Sequence, residues 1–164
     1  MGEVLSHERV TAEGANPASW LYMLHGIFGA GRNWASLAKR LTRERPDWGV
    51  VLVDLRQHGS SQGFAPPHTL GAAADDLAVL ADETGLQPTA VLGHSFGGKV
   101  ALAFAGTQPP GLKQLWVVDS TPSAREPDGS AWRMLEIVRR MPRSFASRDE
   151  LIAALEREGF AKPV

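Results

Sequence analysis

Residues 93 to 98 read Gly-His-Ser-Phe-Gly-Gly, which sets Ser95 at the centre of a G-x-S-x-G. The apolar run Thr89-Ala90-Val91-Leu92 precedes it and the small-residue pattern from Lys99 to Ala105 follows. Strand, sharp turn and helix in that order hold a serine in a strained backbone at a helix N-terminus, with Gly93 and Gly97 letting strand and helix pass close together. A hydroxyl presented there is a nucleophile, and free N–H groups beside it can receive a developing negative charge. A bare G-x-S-x-G also occurs in structural Gly-Ser turns; the flanking strand and helix patterns are what favour a nucleophile elbow here.

Three more segments carry groups able to serve that chemistry. His25-Gly26-Ile27-Phe28-Gly29 follows an apolar run, and its glycines let the backbone fold against a ligand and aim an N–H at it. Alone it reads equally as a Gly-rich turn. Paired with the elbow, the Ile27 N–H becomes one half of an oxyanion hole and the Phe96 N–H the other, because acyl transfer needs two donors converging on one oxygen. Asp54-Leu55-Arg56-Gln57-His58-Gly59-Ser60-Ser61 reads as a hydrogen-bonded loop shaping the floor of the site rather than as a source of catalytic groups. Asp119 ends the run Leu115-Trp116-Val117-Val118, and the chain order nucleophile, acid, histidine gives it the acid slot and denies that slot to Asp54. An aspartate at a strand end equally caps the turn that follows.

The histidines offer no base. His94 adjoins Ser95, and neighbours in a tight turn point apart. His68 precedes a helix cap, and His7 has no partner motif. No two histidines stand at i, i+4 with a carboxylate nearby, so no metal site is expected.

These groups must be positioned by elements that alternate along the chain. Leu21 to Leu24, Val50 to Val53, Ala90 to Leu92 and Leu115 to Val118 read as buried strands. Between them a helix capped by Asn33 is expected to bury Trp34, Leu37, Ala38 and Leu41. A second helix, starting at Thr69 and stopping near Gly85, is expected to bury Leu70, Ala73, Leu77 and Leu80. The alternation implies right-handed crossovers and a mainly parallel sheet, an α/β fold whose ligands bind beyond the carboxyl ends of the strands.

Composition is that of an ordinary globular domain: 164 residues, 43% apolar and 21% charged, with net charge -1. Interspersed charges exclude a basic stripe for nucleic acid, and the lack of cysteine excludes disulfides and thiolate metal sites. With no apolar run of spanning length and no secretory h-region, a cytoplasmic location and no membrane span are expected.

Taken together, the segments at 25–29, 54–61, 93–99 and 118–122 resemble the α/β-hydrolase fold. More closely, they resemble the small-esterase branch that includes alpha/beta-hydrolase domain-containing protein 11 and YbfF-like esterases. The resemblance spans residues 20 to 125. It implies a serine esterase acting on carboxylic esters, with acyl thioesters as a further class, through an acyl-enzyme and without a cofactor. It also implies that Asp119 is the acid of the triad, with the loops at His25, Gly26, Gly93, His94 and Gly97 in supporting roles.

The chain departs from that pattern after Asp119. Residues 1–122 are expected to form the N-terminal part of the core and 123–164 the start of a helical cap. One cap helix would carry Met134, Ile137, Val138 and Met141, and a second would open on the capping box Ser147-Arg148-Asp149-Glu150 and end near Gly159. The resemblance leads one to expect roughly another hundred residues, with further strands and a late histidine. No histidine follows residue 94. The expectation is a fragment or one part of a split chain, nearly inactive alone, whose exposed Leu115–Val118 edge self-associates or pairs with a complementary C-terminal chain. Rival readings are perhydrolysis or C–C bond hydrolysis on the same scaffold, and a non-catalytic hydrolase-like binding protein.

Overall fold

The computed structural model describes residues 3–123, 129–142 and 144–160. The chain divides into two compact units, Met1–Pro122 and Ser123–Val164.

The first unit is built on a five-stranded sheet of order β1-β3-β2-β4-β5. Its strands are β1 (His7–Val10), β2 (Ser19–Leu24), β3 (Trp48–Val53), β4 (Ala90–His94) and β5 (Gln114–Val118). β1 runs antiparallel to β3, and every other pairing is parallel. All four apolar runs are strands as expected, but only β2, β3 and β4 are buried; Leu115–Val118, also expected to be buried, is largely exposed because β5 lies at the edge of the sheet. β1 is an addition to that reading: His-Glu-Arg-Val has one buried residue, Val10, and shows no apolar alternation to reveal it.

Helices cover both faces. On one face α2 (Leu70–Thr84) and α3 (Phe96–Gly106) bury Leu77, Leu80, Val100 and Phe104 against Tyr22, Leu24, Val51 and Val91. On the other, α1 (Ala35–Glu44) seals Ala38 against Met23, Val50 and Leu52. Beside α1 the sheet leaves an apolar groove of about 410 Å³ lined by Met23, Leu37, Leu41, Leu92, Trp48 and Trp116.

Local signals behaved unevenly. Thr69 caps α2 by accepting the Ala72 amide at 3.1 Å, and Gly85 ends the helix in the left-handed region (φ 69°). Asn33, expected to cap α1, does not. Residues Gly31–Trp34 form a 3₁₀ turn first, where Asn33 Oδ1 accepts the Ala30 amide at 2.7 Å, and α1 starts after it at Ala35. Leu37 and Leu70, expected in the core, are exposed, Leu37 because it faces the groove and Leu70 because it occupies the first turn of α2.

The second unit contains α4 (Gly129–Arg140) and α5 (Arg148–Arg157). Met134, Ile137 and Met141 are half-buried, whereas Val138 is exposed. At α5 the Ser147 hydroxyl accepts the Glu150 amide at 3.2 Å, and the Glu150 carboxylate reaches back to the Ala146 amide at 2.8 Å. Arg133 ties the two helices together, donating to the Glu158 carbonyl at 2.9 Å with its guanidinium over the Phe160 ring. Among the described residues no helix is long and apolar enough to cross a membrane.

Candidate active site

Sheet register brings the candidate groups to one edge. Leu24 of β2 pairs with Val53 of β3 and with Gly93 of β4, and His94 pairs with Val118 of β5. Because these strands are parallel, His25, Asp54, Ser95 and Asp119 all leave the sheet at its carboxyl end. Ser95 and Asp119 step off adjacent strands at the same level.

Ser95 occupies a strained backbone, φ 51° and ψ -115°, a region costing an L-residue about 1–3 kcal/mol. The turn is possible only because its neighbours lack side chains. A Cβ on Gly93 would lie 2.2 Å from the Gly97 carbonyl oxygen, and one on Gly97 would lie 2.5 Å from that of His25. The Ser95 amide is held at 2.9 Å by the Val118 carbonyl, locking the elbow to β5. Its hydroxyl does not cap α3, although the residue stands at the N-cap position.

The Gly26 segment lies against the elbow: a Cβ there would approach Ser95 Cβ at 3.5 Å. A turn closes from the Gly29 amide to the Gly26 carbonyl at 2.9 Å, and His25 Nδ1 approaches the same oxygen at 2.7 Å. The Leu55 amide donates to His25 Nε2 at 3.1 Å, so the proton of this imidazole sits on Nδ1 and is given to Gly26. Burial lowers the His25 pKa and keeps the ring neutral, as that tautomer requires. In a trans peptide the N–H points opposite to its C=O. With the Gly26 oxygen held by two donors, the Ile27 N–H is therefore turned away from them. Among the described residues neither the Ile27 nor the Phe96 amide donates a hydrogen bond, and Phe96 is the first residue of α3, where no intrahelical acceptor exists.

Asp119 also has positive φ, 49°, and its side chain is 87% exposed. Its carboxylate stands 3.8 Å from His94 Nε2, beyond hydrogen-bond distance. Its turn abuts the elbow, since a Cβ on Gly98 would meet that of Ser120 at 2.7 Å. His94 lies edge-on to Trp34.

The Asp54–Ser61 loop is knotted by hydrogen bonds. Asp54 accepts the Gly31 amide at 2.7 Å and the Ser60 amide at 2.8 Å, while its carbonyl takes the Ser61 hydroxyl at 2.7 Å. Arg56 lies 2.9 Å from Asp76 on α2 in a nearly buried ion pair, and it also donates to the Pro67 carbonyl. Burial raises the Asp76 pKa, against the opposing pull of Arg56. Neither the Asp54–Gly31 clasp nor the contacts of His58 could be found from spacing, since the partners lie 23 and 31 residues apart. The signal in the sequence was a polar, glycine-containing segment directly after a buried strand. Among the described residues no group of three or more metal-ligating side chains comes together.

Comparison with known proteins agrees with this arrangement. Residues 19–151 match the alpha/beta hydrolase fold family. The chain is similar to mouse sn-1-specific diacylglycerol lipase ABHD11, at 33% identity over 94% of this chain and 52% of the relative. It is also similar to lipase LipV of Mycobacterium tuberculosis, at 38% identity over 78% of this chain and 44% of the relative. A solved marine microorganism esterase superposes with a TM-score of 0.80 at 27% identity, covering 95% of this chain and 59% of that one. The chain thus spans about half the length of the curated relatives it matches. Sheet order and family match converge, and the chain belongs to the α/β-hydrolase fold family.

Proposed function

We propose that the protein carrying this chain is a serine hydrolase of carboxylic esters, working through an acyl-enzyme on Ser95. The observation that carries the reading is a serine in a strained turn, its hydroxyl free of capping duty, beside two main-chain amides with no internal acceptor. Ser95 Oγ attacks the ester carbonyl and its proton passes to a histidine base. The Ile27 and Phe96 amides take the negative oxygen, and the alcohol leaves with the proton. Water then cleaves the acyl-enzyme, returning a carboxylic acid and the free serine. Lipase and esterase names among the relatives support carboxylic esters as the substrate class.

Asp119 is the acid that orients the base, and the base is a histidine outside these 164 residues. Four of the five histidines within them are otherwise engaged, and the fifth, His94, stands 3.8 Å from Asp119. His25 is buried and donates to Gly26, His58 faces two carbonyls, His7 faces the Leu5 carbonyl, His68 contacts Gln57, and His94 precedes the serine in the turn. Without the base, turnover by the chain alone falls by about 10⁶ relative to a complete triad. The edge of β5 then takes up a further strand, from a complementary C-terminal chain or a second copy.

A fluorophosphonate probe applied to the full-length protein tests the nucleophile. One adduct per chain, lost in Ser95→Ala, is expected; undiminished labelling of that variant places the nucleophile elsewhere.

A further inference from the structure

The imidazole of His58 touches both halves of the oxyanion site. Its Nε2 lies 2.7 Å from the Ile27 carbonyl oxygen, and its ring stacks on that of Phe96 with centroids 5.9 Å apart and planes 27° from parallel. On the other side Nδ1 lies 2.9 Å from the Arg56 carbonyl, and the His25 ring stands 5.1 Å away. We propose that His58 is a positioning residue for acyl transfer, holding the Ile27 backbone by a hydrogen bond and the Phe96 side chain by stacking, so that the amides of these residues converge on one oxygen.

Few groups hold the peptide planes that carry these amides. Two peptide planes meet at Ile27. The one before it is held through the Gly26 oxygen, by His25 and by the Gly29 amide. The one after it is held through the Ile27 oxygen, by His58. The Ile27 N–H lies in the first plane; the second, held by His58, stops that first plane from turning about φ and ψ of Ile27 and so keeps the N–H aimed. Phe96 is only half-buried, and stacking on His58 links its position to that of Ile27. His58 is itself anchored: its amide donates to Leu55, its carbonyl accepts from Ser61, and the adjoining Arg56 is paired with Asp76. One ring thus ties the loop after β3 to the loop after β2 and to the first turn of α3.

This role presupposes that Ile27 and Phe96 form the oxyanion hole, so the test separates the two claims. In the full-length protein His58→Ala loses hydrogen bond and stack, His58→Phe retains the stack, and His58→Gln retains a donor. With a p-nitrophenyl ester, His58→Ala is expected to lower kcat about 10- to 100-fold with KM within threefold, the range for misplaced transition-state groups. His58→Gln is expected to recover a large part of that loss. Inhibition constants for a trifluoromethyl ketone, whose adduct carries the oxyanion, should rise in step with the fall in kcat/KM. A merely structural role would lower the unfolding temperature and the active fraction, leaving the inhibition constant of the folded fraction unchanged; that result overturns the proposal. So does wild-type kcat in His58→Phe and His58→Ala. Should His58→Ala not fold, His58→Phe and His58→Gln decide by the same measures. If Ser95→Ala still takes up the fluorophosphonate, the underlying reading has failed. If labelling depends on Ser95 while the His58 variants turn over normally, only the positioning role has failed.

Discussion

Asp54 binds Gly31 across 23 residues, one carboxylate oxygen taking the Gly31 amide at 2.7 Å while the other takes the Ser60 amide at 2.8 Å. The carboxylate at the end of β3 is thus a clasp between two loops of the candidate site. A Cβ on Gly59 would lie only 2.1 Å from it, and Gly59 has φ 49°, so the loop is wound tightly around this one side chain.

Replacing the clasp should therefore loosen both loops at once. Asp54→Ala leaves two amides without their acceptor, and a loss of about 2–4 kcal/mol in unfolding free energy is expected, at about 1–2 kcal/mol for each bond. Urea unfolding measures it. A change below about 0.5 kcal/mol would show that water replaces the carboxylate at no net loss.

Two glycines of α3 offer an opposed pair. Gly97→Ala drives a methyl group into the His25 carbonyl at 2.5 Å, and neither backbone can yield without moving the elbow. A loss of about 3 kcal/mol, the upper range for overpacking, is expected together with loss of fluorophosphonate labelling in the full-length protein. Gly106→Ala, with nothing within 4 Å of the new methyl at the end of the same helix, should instead stabilise by about 0.4–1 kcal/mol. Thermal unfolding of the two variants side by side checks the contrast, and destabilisation by both would refute it.

Two buried groups bound the pH range of stability. His25 has its pKa lowered from 6.5 by burial, so the unfolded chain binds the proton more tightly than the folded one. Its contribution is complete above pH 6.5 and is lost as pH falls through the folded value. Tyr22, whose hydroxyl donates to the Leu86 carbonyl at 2.9 Å, has its pKa raised by burial from 10.0 to about 12. Here the folded state holds the proton more tightly, and the contribution present below pH 10.0 is lost as pH rises towards 12. Unfolding free energies across pH should fall on both flanks, more shallowly on the acid side in His25→Asn and on the alkaline side in Tyr22→Phe. Equal slopes in wild type and variant would remove the assignment on that flank.

Among the described residues the outer strand β5 pairs only with β4, yet it exposes Leu115, Val118 and Trp116, the last at 57%. An apolar strand with unpaired amides and carbonyls on one side is a template for further pairing. The 164-residue chain is expected to self-associate in sedimentation experiments, and Trp116→Lys should weaken that association at least about tenfold by placing charge on the edge. A monomeric wild type at tens of micromolar would rule this out.

Much of this molecule was legible along the chain, because the deciding interactions are local. Hydrophobic period placed four of the strands, and the Thr69, Gly85 and Ser147 signals act within one turn of helix. The strain at Ser95 follows from the Gly93 to Gly98 segment and its flanks. Where a local rule met a tertiary demand, the demand prevailed. Asn33 closes a 3₁₀ turn instead of capping α1, and β1, with one buried side chain, forms because β3 offers it an edge.

The residue types of the site, and the order in which they occur, are thus properties of the sequence alone. Their roles relative to one another are not. Asp54 and His58 follow one strand, Ile27 another and Phe96 a third, and only the order β3-β2-β4 sets these strand ends side by side. Spacing along a chain specifies contacts within a turn or two; contacts across 23 or 31 residues are decided by which strands pair and in what register.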